Sequence, residues 1–318
     1  MKNLLKPLLF ASISAVALYS CDDNDDNDMM SQNTSVYARV SSDSDLSNLK
    51  AAIDRAGLAT TLSQSGNFTV FAPSNAAFNT FLQANGYANL NAVPIDALKE
   101  ILLNHVLNME VKAAQVTTGY VSTMAKGAAS STRNLSMFIN TANGVKINGV
   151  STVTATDIDV NNGVIHKVDA VIGLPTIVTH ATANPQFSTL VTALTRSDMP
   201  NFVSILSGTA NSPFTVFAPT NSAFSSLLTE LNISSLASIN TSTLENTLKY
   251  HVVTGANVGS NNLTNNMIVN TFQGSSFKVT TTNGVKITDN QNRVSNVIVT
   301  DVQCTNGIIH AIDKVLRP

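Results

Sequence analysis

Tryptophan is missing from this chain altogether, and aromatic residues of every kind make up only 6% of its 318 positions. That argues against a stacking platform, whether for sugars or for single-stranded bases. Charge is scarce as well: Asp, Glu, Lys and Arg together reach 12%, and the net charge is -2. Nucleic-acid binders carry a basic face, so no nucleic-acid partner is expected. Cysteine occurs twice, at Cys21 and Cys304, with no C-x-x-C spacing for a redox pair or a metal site. There is no G-x-S-x-G turn to present a nucleophile and no glycine-rich phosphate loop. No His, Asp and Glu gather at ligand spacing, so neither metal nor cofactor is expected and no catalytic residue is assigned. The chain reads as a non-enzyme.

A long hydrophobic run is also lacking. The apolar stretch from Leu8 to Leu18, behind Lys2 and Lys6, is too short to span a bilayer and sits where a signal sequence belongs. It ends at Leu18-Tyr-Ser-Cys21, which resembles a bacterial lipobox. Residues 1–20 are therefore expected to be a signal peptide, with Cys21 lipidated as an anchor in the membrane. With Cys21 acylated no intrachain disulfide remains, and Cys304, in an apolar stretch, is expected to be a buried inert thiol. Asp22 to Asp28 form an acidic run, which water solvates, so 21–34 reads as a flexible tether. A calcium loop does not fit, because Asn27 and Asn33 occupy the glycine and closing-glutamate positions. The same run resembles the surface-export signal of Bacteroidetes lipoproteins, which implies an outer-membrane protein facing outward.

What the chain does have is hydrophobic substance, 43% of its residues, and room for about two domains. It also has an internal repeat. Phe68-Thr-Val-Phe-Ala-Pro-Ser-Asn-Ala-Ala-Phe78 returns as Phe214-Thr-Val-Phe-Ala-Pro-Thr-Asn-Ser-Ala-Phe224, 146 residues on (214 minus 68). His105 and His251 keep that spacing. Asn143-Gly-Val-Lys-Ile147 returns as Asn283-Gly-Val-Lys-Ile287, 140 on (283 minus 143). Asn162-Gly-Val-Ile-His166 returns as Asn306-Gly-Ile-Ile-His310, 144 on (306 minus 162). A period this long lets each copy bury its own core, so the chain divides into two beads, 35–174 and 175–318. The drift in spacing marks insertions, expected in surface loops.

Within each copy, Phe68–Phe71 reads as a strand that Pro73 stops. Ser74 and Thr220 read as N-caps, with Phe78, Phe81 and Leu82 at helical spacing beyond the first. A second helix carries His105 on its apolar face, opened by Asp96. Its counterpart carries His251, with Ser242 and Glu245 at capping-box spacing. Asn283-Gly284 makes the turn of a hairpin from Phe277 to Ile287, because both residues tolerate positive φ. Final strands run Val164–Ile172 and Ile308–Leu316, and the second copy opens with a helix near Phe187–Leu194. Helices come early and strands late, which is an α+β arrangement. His166 shares strand parity with Val164 and Val168, so the four repeated histidines are expected to be buried and neutral, with hydrogen-bond partners.

Thr69–Phe78 with Asn162–Asp169, and Thr215–Phe224 with Asn306–Asp313, resemble the paired blocks of the fasciclin domain family. The resemblance covers roughly 35–318. It implies two tandem α+β domains, each a wedge-shaped β-sandwich with packed helices, and a non-enzymatic adhesion or matrix-binding role outside the cell. In animal members a Tyr-His pair and an Asp-Ile pair are linked to integrin binding. The matching residues are Tyr250 and His251, where the first copy has Asn104-His105, then Asp157 and Ile158, and Asp301 and Val302. The expected partner is an extracellular protein or glycan. The alternative is an accessory glycan- or partner-binding lipoprotein of a surface polysaccharide uptake system. No motif names the ligand or sets the oligomeric state.

Overall fold

The structure, a computed structural model, describes residues 34–318. The expected signal peptide, Cys21 and the acidic run lie outside the described residues.

The first copy begins with three short helices, α1 (Val36–Ser42), α2 (Ser47–Arg55) and α3 (Ala59–Ser63). Strand β1 (Phe68–Pro73) follows, then α4 (Asn75–Ala84) and α5 (Ile95–Leu103). Six strands complete it: β2 (Val106–Leu107), β3 (Gly119–Gly127), β4 (Ser130–Asn140), β5 (Lys146–Ile147), β6 (Ser151–Val160) and β7 (Gly163–Val168). The second copy repeats the order. Its elements are α6 (Ile177–Ala183), α7 (Ser188–Leu194), α8 (Phe202–Ser207), β8 (Phe214–Pro219), α9 (Asn221–Glu230) and α10 (Thr241–Tyr250). Then come β9 (Val252–Thr254), β10 (Met267–Asn270), β11 (Ser276–Thr280), β12 (Lys286–Thr288), β13 (Val294–Cys304) and β14 (Gly307–Ile312).

The strands are not only late. In each copy the early strand enters the sheet one place in from its edge, in a seven-stranded order β2-β1-β7-β6-β5-β4-β3, or its equivalent. There β1 lies parallel to β7, from Phe68 opposite Gly163 to Pro73 opposite Val168, in a sheet whose other pairings are antiparallel. Every residue of β1 is buried because both of its faces are covered. Phe68, Val70 and Ala72 join Leu49, Phe78 and Leu98 in a helical core, while Phe71 meets Met137, Ile139 and Ile147 on the other side. That second core lies between the two halves of a folded sheet. The long β6 joins the halves, and its register slips twice against β7, between Val153 and Ile158. Bulges of this kind bend and twist a strand, which is how one sheet becomes a sandwich.

Ser74 and Thr220 cap α4 and α9 through Ala77 N–H and Ala223 N–H. Two cap expectations are corrected. Pro94, not Asp96, precedes α5, and Asp96 lies in its first turn. Asn240, not Ser242, caps α10, and its side chain accepts from Ser242 N–H. Asn and Pro set these helix starts earlier than the hydrophobic spacing shows. The Asn283-Gly284 turn is present with both residues at positive φ, inside a five-residue connection (281–285) rather than a two-residue loop. The final strands end at Val168 and Ile312, before Ile172 and Leu316. The second copy opens with α6, earlier than expected, where Thr176 and Thr179 bond reciprocally.

Candidate functional site

The four repeated histidines fasten the strands and helices to one another. His105 is 2% exposed; its Nδ1 lies 2.7 Å from Ile101 O, and its Nε2 accepts from Ile172 N–H at 2.8 Å. His251 makes the same pair of bonds, to Thr247 O and from Leu316 N–H. In both rings a carbonyl faces Nδ1 and an N–H faces Nε2, so Nδ1 carries the proton and the ring is neutral. Burial pushes both pKa values down to about 4, against a partial lift from the helix carbonyl. These rings hold the segments beyond the last strands, at Ile172 and Leu316.

His166 and His310 use the opposite tautomer. Nε2 of each donates to a backbone carbonyl, Val111 O at 2.9 Å and Val258 O at 2.8 Å. Nδ1 of each accepts from a bulged residue, Asp157 N–H at 3.2 Å and Asp301 N–H at 3.3 Å. Those two aspartates sit at φ 57° and 62°, the left-handed region that costs most L-residues roughly 1–2 kcal/mol. Asp tolerates it when its side chain bonds locally. Here Asp157 accepts from Ala113 N–H at 2.8 Å, and Asp301 accepts from Ser260 N–H at 2.7 Å and from the Ser260 hydroxyl. Burial acts to raise the Asp301 pKa, but the bonds from Ser260 and the charge of Arg133 outweigh it and hold the carboxyl low.

The family-matched pairs therefore occupy two different settings. Asp157 is exposed and Ile158 half-buried at the bulge of β6. Asp301 is half-buried and Val302 is buried in the equivalent place. Tyr250 and His251 are interior residues. Tyr250 packs edge-on to Phe277 and donates to Ser276 O at 2.7 Å. In the first copy Asn104 fills that position and donates to Gly173 O at 3.0 Å. Both solutions tie the helix end to other parts of the domain. The structure brings each Asp to a histidine of its own copy and brings neither to the Tyr-His helix.

What differs between the copies is what covers the second bulge. Arg133, on β4 of the first copy, lies 3.4 Å from Asp301 and also bonds Asn261. It fits because Gly259 has no Cβ; an added one would stand 2.0 Å from the guanidinium. The equivalent position in the first copy is Lys112, which instead pairs with Asp159. Around this ion pair, Ala129 N–H donates to Thr305 O at 2.9 Å and Gln303 N–H to Ser136 Oγ at 3.0 Å. His180 packs edge-on to Tyr120 of the first copy, with ring centroids 5.4 Å apart, and Tyr120 OH accepts from Asn184. The two copies thus meet through β4 and β13. Insertions are expected in surface loops, and the longer β3–β4 hairpin of the first copy also carries the contact between the copies. The signal was in the spacing: His105 to Asn143 is six residues longer than His251 to Asn283 (38 against 32).

Chemically, the histidines have no free nitrogen for proton transfer or metal, apart from His180, which is fully buried against the Tyr120 ring. Among the described residues no three His, Cys, Asp or Glu side chains are grouped to hold a metal ion. Cys304 is fully buried, and burial raises its thiol pKa well above the ordinary value.

A fasciclin domain profile matches residues 44–175 and again 185–318. The chain belongs to the fasciclin domain family. Its two fasciclin domains are the two copies described above. An uncharacterized protein of Synechocystis sp. is 38% identical over 149 residues, which is 45% of this chain and 98% of that protein. The transforming growth factor-beta-induced protein ig-h3 of Sus scrofa is 26% identical over 285 residues, 88% of this chain but only 37% of ig-h3. A solved fasciclin domain pair, from the insect cell adhesion molecule fasciclin I, covers 89% of this chain and 96% of that one, with a TM-score of 0.48 and 22% identity. No helix among the described residues is long and apolar enough to cross a membrane.

Proposed function

We propose that this fasciclin pair is a non-enzymatic adhesion lipoprotein, tethered through a lipid on Cys21 and displayed at the outer face of a bacterial outer membrane. Its ligands are extracellular proteins of matrix, neighbouring cells or partner complexes. The observation that carries this reading is where polar chemistry lies. In both domains the repeated histidines are bound to backbone in the interior, so recognition is left to the outer surface. The candidate surface is the β6 bulge of the first domain, where Asp157 and Ile158 reach solvent. Asp301 and Val302 are covered in part by Arg133 and its strand, so their contribution is to orientation. Tyr250 and His251 act from inside, by fixing the helix end behind β9. Two domains held in one orientation present two surfaces at a set spacing, which raises avidity when a ligand repeats.

The test displays the full chain on cells and measures attachment to protein-coated surfaces. Cys21→Ala is expected to release the protein from the envelope and abolish attachment. Asp157→Ala is expected to weaken attachment while leaving surface display unchanged. Attachment equal to that of a deletion strain across all surfaces would overturn the reading. Selective binding of one polysaccharide on a glycan array would move the assignment to the uptake-accessory role.

A further inference from the structure

The two domains differ in their helical cores. In the first, the space between α2, α3, α5 and the sheet is closed down to about 10 Å³. In the second, the same space is a cavity of about 100 Å³, open at one end to solvent. The equivalence is positional: Leu49, Leu62, Val70 and Leu102 line the first, and Leu190, Leu206, Val216 and Leu248 line the second.

Two substitutions between the copies and one hairpin residue account for the difference. Asn162 accepts from Val36 N–H and Asn306 accepts from Ile177 N–H, which sets α1 against α6 residue by residue. On that alignment Tyr37 stands opposite Val178, and Val40 opposite Ala181. Tyr37 packs on the first core and ties itself to Asp54, and Val40 is fully buried in it. Val178 and Ala181 are smaller and line the cavity. Met124, from the β3–β4 hairpin, also lines the first space, and no residue of the corresponding β10–β11 hairpin reaches the second. Phe202, larger than its counterpart Leu58, restores only part of the volume.

The lining offers nothing to a polar ligand. His251 has both nitrogens engaged. At the mouth, Thr182 and Thr195 turn their hydroxyls back onto their own helices, to Val178 O at 2.9 Å and Val191 O at 2.8 Å. Val203, also at the mouth, is 39% exposed. An apolar cavity of this kind stays dry, and one of about 150 Å³ binds a benzene-sized hydrocarbon. An apolar lining whose three polar side chains, His251, Thr182 and Thr195, are all bonded to backbone, with an open and uncharged mouth, suits a hydrocarbon end whose head group stays in water.

We propose that the second fasciclin domain holds the hydrocarbon tail of an amphiphile in the cavity between α6, α7, α8 and the sheet. The site stands independently of the adhesion surface, on the other domain. The probes are dodecanoate and, separately, phosphatidylglycerol vesicles, added to the full chain with its valine, leucine and isoleucine methyl groups observed by NMR. Dodecanoate is expected to give saturable shifts at Leu190, Val191, Leu194 and Leu206. Shifts from vesicles as well would name membrane lipid as the source; shifts from dodecanoate alone would name a free amphiphile. Restoring the residues of the first copy, with Val178→Tyr and Ala181→Val together, is expected to weaken binding about tenfold or more, the effect of shutting out roughly two methylenes. Val203→Phe narrows the mouth from an exposed position and is expected to weaken binding without loss of fold. No saturable shift with either probe, or undiminished affinity in both variants, would overturn the proposal and leave the cavity a packing void.

Discussion

Acidification should destabilise this protein well before its carboxylates are protonated. His105, His180 and His251 are fully buried, and burial lowers each pKa from the ordinary 6.5 to about 4. The folded pKa lies below the unfolded one, so the unfolded chain takes up protons first. Their stabilising contribution is therefore complete above about pH 6.5 and is lost as the pH falls toward 4. The slope is about 1.4 kcal/mol per pH unit for each histidine, or about 2 kcal/mol each between pH 6.5 and 5. His310 shifts in the same direction. Asp43, Asp54, Asp198 and Asp301 are all held below the ordinary 3.8, so their contributions disappear only at lower pH. The upper window belongs to histidine. Urea unfolding at pH values from 7.5 to 5 reads the slope directly, and His251→Gln should remove about 1.4 kcal/mol per pH unit from the unfolding of the second domain. A flat stability profile across that window, or an unchanged slope in the variant, would refute the burial and tautomer assignments.

Three further outcomes follow from single positions. Gly163→Ala and Gly307→Ala should each prevent folding of their domain, since an added Cβ would stand 1.9 Å from Phe68 O or 2.3 Å from Phe214 O; the measure is soluble yield and circular dichroism. Asn162→Ala should cost about 2–4 kcal/mol in chemical denaturation, because its amide bonds Leu62 O, Gln64 O and Val36 N–H and all would lose a buried partner. Cys304 should resist a thiol reagent in the folded protein and react at the rate of unfolding when urea is added, since its side chain is buried and its thiol held protonated.

Much of this was legible in the chain. The repeated Phe-Thr-Val-Phe-Ala-Pro block, with Ser74 and Thr220 after it, gave a strand and a capped helix because propensity and capping act locally. Strand parity put His166 and His310 inside. What was not legible was non-local. A strand buried on both faces has no alternation to read, so nothing in Phe68–Pro73 announced its parallel pairing with Gly163–Val168. Left-handed geometry at Asp157 and Asp301 agrees with residue type, since every non-glycine residue at positive φ among the described residues is Asn or Asp, but Asp occurs in too many other settings for type alone to locate the bulge. Asn240 and Pro94 were passed over as helix starts because apolar spacing begins inside the first turn, not at the cap.

The divergence of the copies is concentrated where they meet or where they could receive something. Both keep the same internal bracing: Asn162 and Asn306 bond the same loops, His105 and His251 the same chain ends, His166 and His310 the same bulges. Such bracing is interior and cooperative, so either copy loses several bonds by changing any part of it. The first copy lengthened a hairpin and placed Arg133 over the bulge of its sister, while Gly259 made room. That exchange works in one direction only, because Lys112 occupies the matching place in the first copy and already pairs with Asp159. The contact therefore covers one bulge of the pair and not the other: Asp301 is half-buried beneath Arg133, while Asp157 is exposed. A ligand that reads the two bulges therefore meets them as distinct sites.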